Sequence, residues 1–359
     1  AGGFGFTQYD GSERTTAQQM AEALEFVTEH NGQILCDTTA TELITDETGA
    51  VTGVTASQAD GTVLRISAGA VILATGGYNA ETEWVAEAYD GIEPTNNFGP
   101  SGNVGEGIRM AAAVGAAERG EQAVMLRMPR LLGDFNPYNE FESGDGTVKL
   151  GKRFQYAIPL LPMTLWVNGS GERFADENEV CYNRNYCGNV VMSQGGYTYI
   201  ILTESMLETL SSQGAAALGQ LQPQGMGYNN EYTQMNIGWG DVMMVTDGLI
   251  EQGVAYKGET IEELAAAAGM DENALARTLE EYNAACAQKK DNGFYKDAQY
   301  LYPMNDGPYY MFTLNVNVLT TLGGLRVSRY MEAVSYDAAS REFTPIQGLY
   351  GCGTCTGGI

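Results

Sequence analysis

The sequence predicts a mixed α/β and α+β fold in which a discontinuous domain is interrupted by an inserted lobe, and three observations carry that expectation. A β-meander feeds an apolar strand, "AVILA" at Ala70 to Ala74, which breaks directly into Thr75-Gly76-Gly77. From about Glu121 to Asn305 the texture changes, with more aromatic, Met, Asn and Gly residues. Short strands and turns then return, with Gly-Gly pairs at Gly323-Gly324 and Gly357-Gly358. A glycine pair beside a buried strand marks a sharp turn or a close backbone approach. The expected parts are residues 1–120, an inserted lobe at 121–305, and a second part of the first domain at 306–359.

The elements follow in order. "TTAQQMAEALEFVTEHNG" places Met20, Ala23, Leu24 and Val27 at helical spacing, offers Thr15 or Thr16 as N-cap and stops at Gly32. The next stretch alternates β-branched runs with turns at Glu47-Thr48-Gly49 and Asp60-Gly61, as a meander requires. "AVILA" is apolar on both faces, which suits a strand covered on both sides. "NVGEGIRMAAAVGA" is a loop entering a helix; its Gly102, Gly105 and Gly107 do not follow a strand, so they form no dinucleotide fingerprint. In the lobe, "TIEELAAAAG" carries a capping box from Thr260 and Glu263, and Asp271 caps "DENALARTLEEYNAACAQ".

Charge excludes several partner classes. Nineteen Lys plus Arg against 45 Asp plus Glu give a net charge of −26, a field that repels phosphate backbones and anionic lipid. No run reaches the roughly 18 apolar residues of a spanning helix, so a soluble chain without membrane insertion is expected, cytoplasmic or exported. Six scattered cysteines are too few for a disulfide framework at this length. Cys352-x-x-Cys355 has zinc or thioredoxin spacing, but no second pair follows, so no metal site is expected. The single histidine, His30, ends the first helix and reads as a solvent-facing residue.

Five motifs then coincide: "VILATGGY" at Val71 to Tyr78, "GEGIRMAAAVGA" at Gly105 to Ala116, "LWVNGSGERFADE" at Leu165 to Glu177, "TLGGLRV" at Thr321 to Val327, and "IQGLYGCGTCTGGI" at Ile346 to Ile359. Each alone is unspecific. In this order and spacing they resemble the FAD-dependent fumarate reductase/succinate dehydrogenase flavoproteins, a family that includes urocanate reductase and the 3-ketosteroid dehydrogenases. The resemblance spans essentially the whole chain. It implies part of a glutathione-reductase-type FAD-binding domain at 1–120 and 306–359, with a capping, substrate-binding domain at 121–305. It places Ala74, Thr75, Gly76, Gly77, Gly323, Gly324, Gly353, Thr354, Gly357 and Gly358 against FAD, where a Cβ would intrude. The family's opening strand and Gly-x-Gly-x-x-Gly turn do not occur, so the chain reads as an internal fragment that by itself binds FAD weakly or not at all.

The resemblance also assigns chemistry. Fumarate-reducing members carry His where this chain has Leu319-Thr320, which argues against fumarate. A proton donor beyond "GERF" falls on Arg184 or Tyr182, and Tyr310 in "GPYYM" is a third candidate; Arg173 reads as structural, pairing with acids such as Asp176 or Glu177. The expected reaction is reduction of an activated carbon–carbon double bond of an enoate or enone by hydride from FAD, with an unidentified electron donor and a small unsaturated substrate. The aromatic and Met-rich runs "VMLRMPRLL" and "YNNEYTQMNIGW" tilt the substrate towards something larger than a dicarboxylate. The alternative is a cofactor-free fragment that forms a homodimer through its incomplete sheet.

Overall fold

The structure is a computed structural model of the 359-residue chain and describes residues 6–7, 13–87, 96–97, 99–120, 124–219 and 236–358. Packing distinguishes two compact units, residues 1–71 with 346–349 and residues 72–345 with 350–359.

In the first unit, α1 (Thr16–Glu29) opens on a complete capping box. Thr15 Oγ1 accepts from Gln18 N at 3.2 Å, and Gln18 Oε1 accepts from Thr15 N at 2.8 Å. His30 closes the helix, stacked on Phe26 at 4.0 Å and exposed as its sequence context suggested. The helix stands where it was expected, but its apolar face does not enter a core: Met20 is 58% and Leu24 43% exposed. β1 (Thr38–Thr45), β2 (Val51–Gln58) and β3 (Val63–Ser67) form the antiparallel meander, with Gly49 and Gly61 in the left-handed region at its turns.

The second unit is built on one long strand. Its elements run β4 (Val71–Leu73), α2 (Thr82–Glu87), β5 (Asn96–Asn97), α3 (Glu106–Ala113), β6 (Glu118–Arg119), β7 (Val124–Leu131), α4 (Leu150–Ala157), β8 (Leu165–Val167), α5 (Arg184–Ser193), β9 (Tyr197–Thr203) and α6 (Glu204–Ser212). They continue with α7 (Val242–Glu251), β10 (Ala255–Gly258), α8 (Ile261–Ala268), α9 (Glu272–Gln288), β11 (Tyr309–Thr321), β12 (Gly324–Leu325), β13 (Glu332–Asp337) and β14 (Glu342–Gly351), of which Ile346–Leu349 count with the first unit. At about 3.3 Å per residue the 13 residues of β11 span roughly 43 Å. Its first half lies between β9 and β10, and its second half pairs antiparallel with β7 and parallel with β5. Residues Tyr309 to Val318 are all buried, so both faces of this strand are covered. On one of them Phe154 of α4 meets Phe312 edge to face at 5.5 Å. Residues 309–321 therefore share a sheet with strands drawn from 124–258, although the change of sequence texture sets the boundary at 305.

Helix starts follow the expected caps with one shift. Asp271 Oδ1 accepts from Ala274 N at 2.8 Å, and Thr260 Oγ1 accepts from Glu263 N at 3.2 Å. The Glu263 carboxylate, however, accepts from Glu259 N rather than from the cap residue.

Beneath α9 lies a buried ionic cluster. Arg173 forks onto Glu177 (Nε to Oε1 3.0 Å, Nη2 to Oε2 2.7 Å) and reaches Asp291 at 2.7 Å. Lys296 Nζ stands 3.3 Å from Glu177 and donates to Thr164 O at 2.8 Å and to the Tyr282 hydroxyl at 3.2 Å. Of the two acids the sequence offered, Arg173 takes Glu177, while Asp176 caps the following turn through Asn178 N. Burial pushes the Glu177 carboxyl up, but Lys296 and Arg173 outweigh it and hold the group below its usual range. For Asp291 burial likewise pushes up, and the Phe294 N–H and Arg173 bring the net shift down. Both carboxyls thus bind protons less readily folded than unfolded. Their stabilisation is complete above about pH 4 and is lost as pH falls through the folded values. Urea midpoints measured from neutral pH downwards should fall steeply below about pH 4, and Asp291→Asn should flatten that limb; equal slopes in both proteins would contradict the assignment.

Candidate functional site

Four loops of the second unit interlock where β4 and β11 end. β4 runs out into exposed Ala74 and Thr75, then Gly76 and Gly77. β11 ends at Thr321, before Leu322 and Gly323. The Glu118–Arg119 strand β6 lies antiparallel to β12, and β14 leads into the 3₁₀ turn Gly353–Cys355. Backbone bonds tie these loops together: Cys352 N donates to Leu73 O, Gly357 N to Leu325 O and Gly358 N to Leu322 O, each at 2.9 Å.

The glycines are required first by this interleaving. A Cβ at Gly77 would overlap the Thr321 hydroxyl and stand 3.3 Å from Thr354 O. One at Gly324 would lie 2.5 Å from Cys355 O, and one at Gly323 2.6 Å from the Tyr78 hydroxyl as well as overlapping Gly120 O. Residues expected to bare their backbone to a cofactor are therefore also the residues that let four chain segments touch. Gly353 differs, being exposed, left-handed at φ 72° and facing open space.

Two polar features were not legible in the sequence. The Thr321 hydroxyl is buried without a hydrogen-bond partner, directly against Gly77. A chain of amides buttresses the same turn. Asn103, whose side chain lies over Gly76, donates to Asn79 Oδ1 at 2.9 Å, and Asn79 Nδ2 donates to Asn97 Oδ1 at 2.7 Å and Pro100 O at 3.2 Å. Asn79 is 3% exposed, so these bonds replace all of its hydration.

The candidate proton donors fall in different places. Tyr310 is buried and donates to Glu204 Oε1 at 3.0 Å. It lies eleven residues along β11 from Thr321, about 36 Å in an extended strand, and the structure does not bring it together with the glycine loops. Its hydroxyl is pushed up by burial and by the Glu204 carboxylate, opposite to what proton release needs. Tyr182 is exposed at the end of the Glu177–Cys181 turn. Arg184 opens α5, with Asn183 as N-cap; its side chain lies outside the described residues. Within α5, Gly188 sits against the Arg127 backbone, and Arg127 pairs with Asn317, four residues short of Thr321. That places α5 at the glycine end of β11, the end opposite Tyr310.

A cavity of about 480 Å³ opens elsewhere, between α9 and residues 290–294 above Arg173, and contains none of these loops. Among the described residues no group of three or more His, Cys, Asp or Glu side chains could hold a metal ion. None of their helices is long and apolar enough to cross a membrane. The run "YNNEYTQMNIGW" lies outside the described residues up to Gln234 and Met235.

A family profile described as "FAD binding domain" matches residues 2–359. The chain belongs to that FAD-binding family. Vinyl phenol reductase of Lactiplantibacillus plantarum is 31% identical over 339 residues, covering 91% of this chain and 62% of that protein. NADH:acrylate oxidoreductase of Vibrio harveyi is 29% identical over 342 residues, covering 93% and 28%. The chain thus spans less than two thirds of the length of either relative. Among solved structures, 3-ketosteroid delta1-dehydrogenase from Sterolibacterium denitrificans aligns over 96% of this chain and 58% of its own at a TM-score of 0.62 and 21% identity, a likeness of fold. The family resemblance drawn from the five motifs holds, and fumarate reductases are also matched.

FAD is the cofactor this membership implies, and the residues at the loop cluster fit it. An exposed rim of Ala74, Thr75, Gly353 and Thr354 borders a floor of glycine backbone, with one unpaired hydroxyl, Thr321, beneath it. Such a surface suits a flat ring system lying on main chain.

Proposed function

We propose that this chain is the flavin-facing core and capping lobe of an FAD-dependent oxidoreductase that reduces the activated carbon–carbon double bond of an enoate, enone or aryl alkene. The observation that carries the reading is the interleaving of the Gly76-Gly77, Gly323-Gly324 and Gly353–Gly358 loops, with Gly77 set against the Thr321 hydroxyl, in a chain matched over nine tenths of its length by a vinyl phenol reductase. Bound FAD supplies the hydride. The glycine loops hold the ring, residues 121–305 serve as the capping lobe that binds the alkene, and Tyr182 or Arg184 delivers the proton to the second carbon. Tyr310 is withdrawn from that role and holds β11 to Glu204.

The substrate reading follows from net charge and from the residues at 319–320. The lone histidine is at the end of α1 in the first unit, and Leu319-Thr320 offers no cation for a dicarboxylate. A chain of net charge −26 also disfavours a dianion. A neutral aryl alkene meets neither obstacle, and a monocarboxylate meets them with half the charge of a dicarboxylate.

The full-length protein, loaded with FAD and supplied with a reduced dye as electron donor, should therefore turn over 4-vinylphenol or acrylate faster than fumarate. Tyr182→Phe or Arg184→Gln should lower kcat by about 10²–10⁴-fold, the range of a general acid, with a smaller change in KM. Preference for fumarate, or full kcat in both variants, would refute the assignment.

Association of two copies is a second proposal, favoured by the exposed Met20, Leu24 and Phe26 on α1. Sedimentation of Leu24→Lys against the parent chain tests it: a dimer that persists in the variant removes α1 from the interface.

A further inference from the structure

The Cys352-x-x-Cys355 motif is absorbed neither by a metal nor by the reaction above, yet it stands inside the loop cluster. We propose that Cys352 and Cys355 are a modification site, closing to an intramolecular disulfide under hydrogen peroxide and thereby weakening the hold of the glycine loops on FAD.

The geometry comes from the turn. Cys352 is the N-cap of the 3₁₀ turn Gly353–Cys355, closed by Thr356 N donating to Gly353 O at 3.0 Å. Cys352, extended at φ −149°, and Cys355 are the first and fourth residues of a tight turn, whose end Cα atoms lie within about 7 Å, close to the separation that a disulfide spans. The Cys355 sulfur already lies over its partner, 3.0 Å from Cys352 O. Gly353, between them, is left-handed and open, so the turn can tighten without moving a neighbouring side chain.

The two sulfurs differ in access. Cys352 is partly exposed, whereas Cys355 is fully buried. Peroxide therefore meets Cys352 first, giving a sulfenic acid and water: sulfur is oxidised and the O–O bond breaks. The Cys355 thiol then attacks that sulfur, the S–S bond forms, and the hydroxyl leaves as a second water carrying the thiol proton. Two thiols and one peroxide yield one disulfide and two waters, and no other oxidant is needed.

The consequence reaches the cofactor loop because of what the Cys355 thiol holds. Its sulfur stands 3.0 Å from Leu73 O, at the end of β4 and three residues before Gly76, within donating reach of that carbonyl as of Cys352 O. The Thr75 N–H approaches the same sulfur. In the disulfide that donor is gone, and the sulfur turns from Leu73 towards Cys352. Cys352 N still holds Leu73 O, so the strand stays while the turn beyond it loosens. Losing one weak hydrogen bond predicts about a three- to tenfold rise in the Kd for FAD.

The inference rests on these loops being the FAD site, and the test separates the two. The full-length protein, reduced and freed of FAD, is treated with hydrogen peroxide; the peptide carrying both cysteines is then examined by mass spectrometry after alkylation, and FAD binding is titrated by flavin fluorescence. The expected result is a peptide lighter by two hydrogens and closed to alkylation, a Kd raised three- to tenfold, and full reversal by dithiothreitol. Cys352→Ser should bind FAD as the reduced protein does and show no such change under brief peroxide treatment. Two alkylated cysteines after peroxide, or a disulfide with an unchanged Kd, overturns the inference. Reduced protein with no affinity for FAD overturns the loop assignment itself and the effect on affinity with it.

Discussion

Gly77→Val should weaken FAD binding about ten- to a hundredfold while leaving the lobe built on β11 folded. Any Cβ at this position overlaps the hydroxyl of Thr321, and the carbonyl of Thr354 closes the other side at 3.3 Å. Thr321 cannot yield, because it is buried at the end of the central strand and paired with Val124. Forcing two methyl groups into such a contact costs about 1–3 kcal/mol by overpacking alone, and the turn can relieve it only by moving away from the loops at 323 and 354. A displacement of that size removes about one to two orders of magnitude in affinity, at 1.4 kcal/mol per tenfold. A double-mutant cycle isolates the cause. Gly77→Ala should weaken FAD binding measurably, and adding Thr321→Ala should restore part of the loss, giving a coupling of about 0.5–3 kcal/mol. Additive losses would show that Gly77 acts independently of Thr321.

The second large effect is on stability. Glu177→Gln should cost about 3–5 kcal/mol, because it leaves Lys296 and one face of Arg173 as buried cations without their shared anion. Both Lys296 and Glu177 are fully buried, so water cannot substitute. Since a domain holds only about 5–15 kcal/mol in total, the variant should melt many degrees lower or accumulate insoluble. Lys296→Met in the same chain should recover stability, since it removes the uncompensated charge along with its partner. A Glu177→Gln protein whose urea midpoint matches the parent's would show that the cluster is solvated in solution.

Local patterns carried much of this architecture. The helix N-caps at Thr15, Thr260 and Asp271, the meander turns and the Gly-Gly breaks are all decided within a few residues, and a reader of the sequence meets them directly. Arg173 was legible as structural because its anion lies four residues away. Lys296 was not, since it reaches Glu177 across more than a hundred residues with no local signal. The same limit explains β11. Residues 309–318 are assigned to no element from the sequence, and nothing local says that this segment is the spine on which β5, β7, β9 and β10 assemble. Motif order sets Tyr310 among the candidate donors, whereas strand length sets it about 36 Å from Thr321 and the glycine loops. Thr321 sat unnoticed inside the "TLGGL" motif because its role comes from facing Gly77, a contact between opposite ends of the chain. The asparagines at 79, 97 and 103 form a chain that no spacing rule anticipates.

In the proposed function, electrons pass from a flavin held by these loops to a carbon–carbon double bond. The most direct test is an anaerobic half-reaction: full-length protein carrying FAD is reduced by one equivalent of dithionite, mixed with an activated alkene, and followed by the return of oxidised-flavin absorbance with the saturated product counted. Prompt reoxidation with one saturated product per flavin is expected, and less product per protein in Gly77→Val, which holds FAD more weakly. A flavin that stays reduced in the presence of every activated alkene, yet reoxidises normally in air, would contradict it.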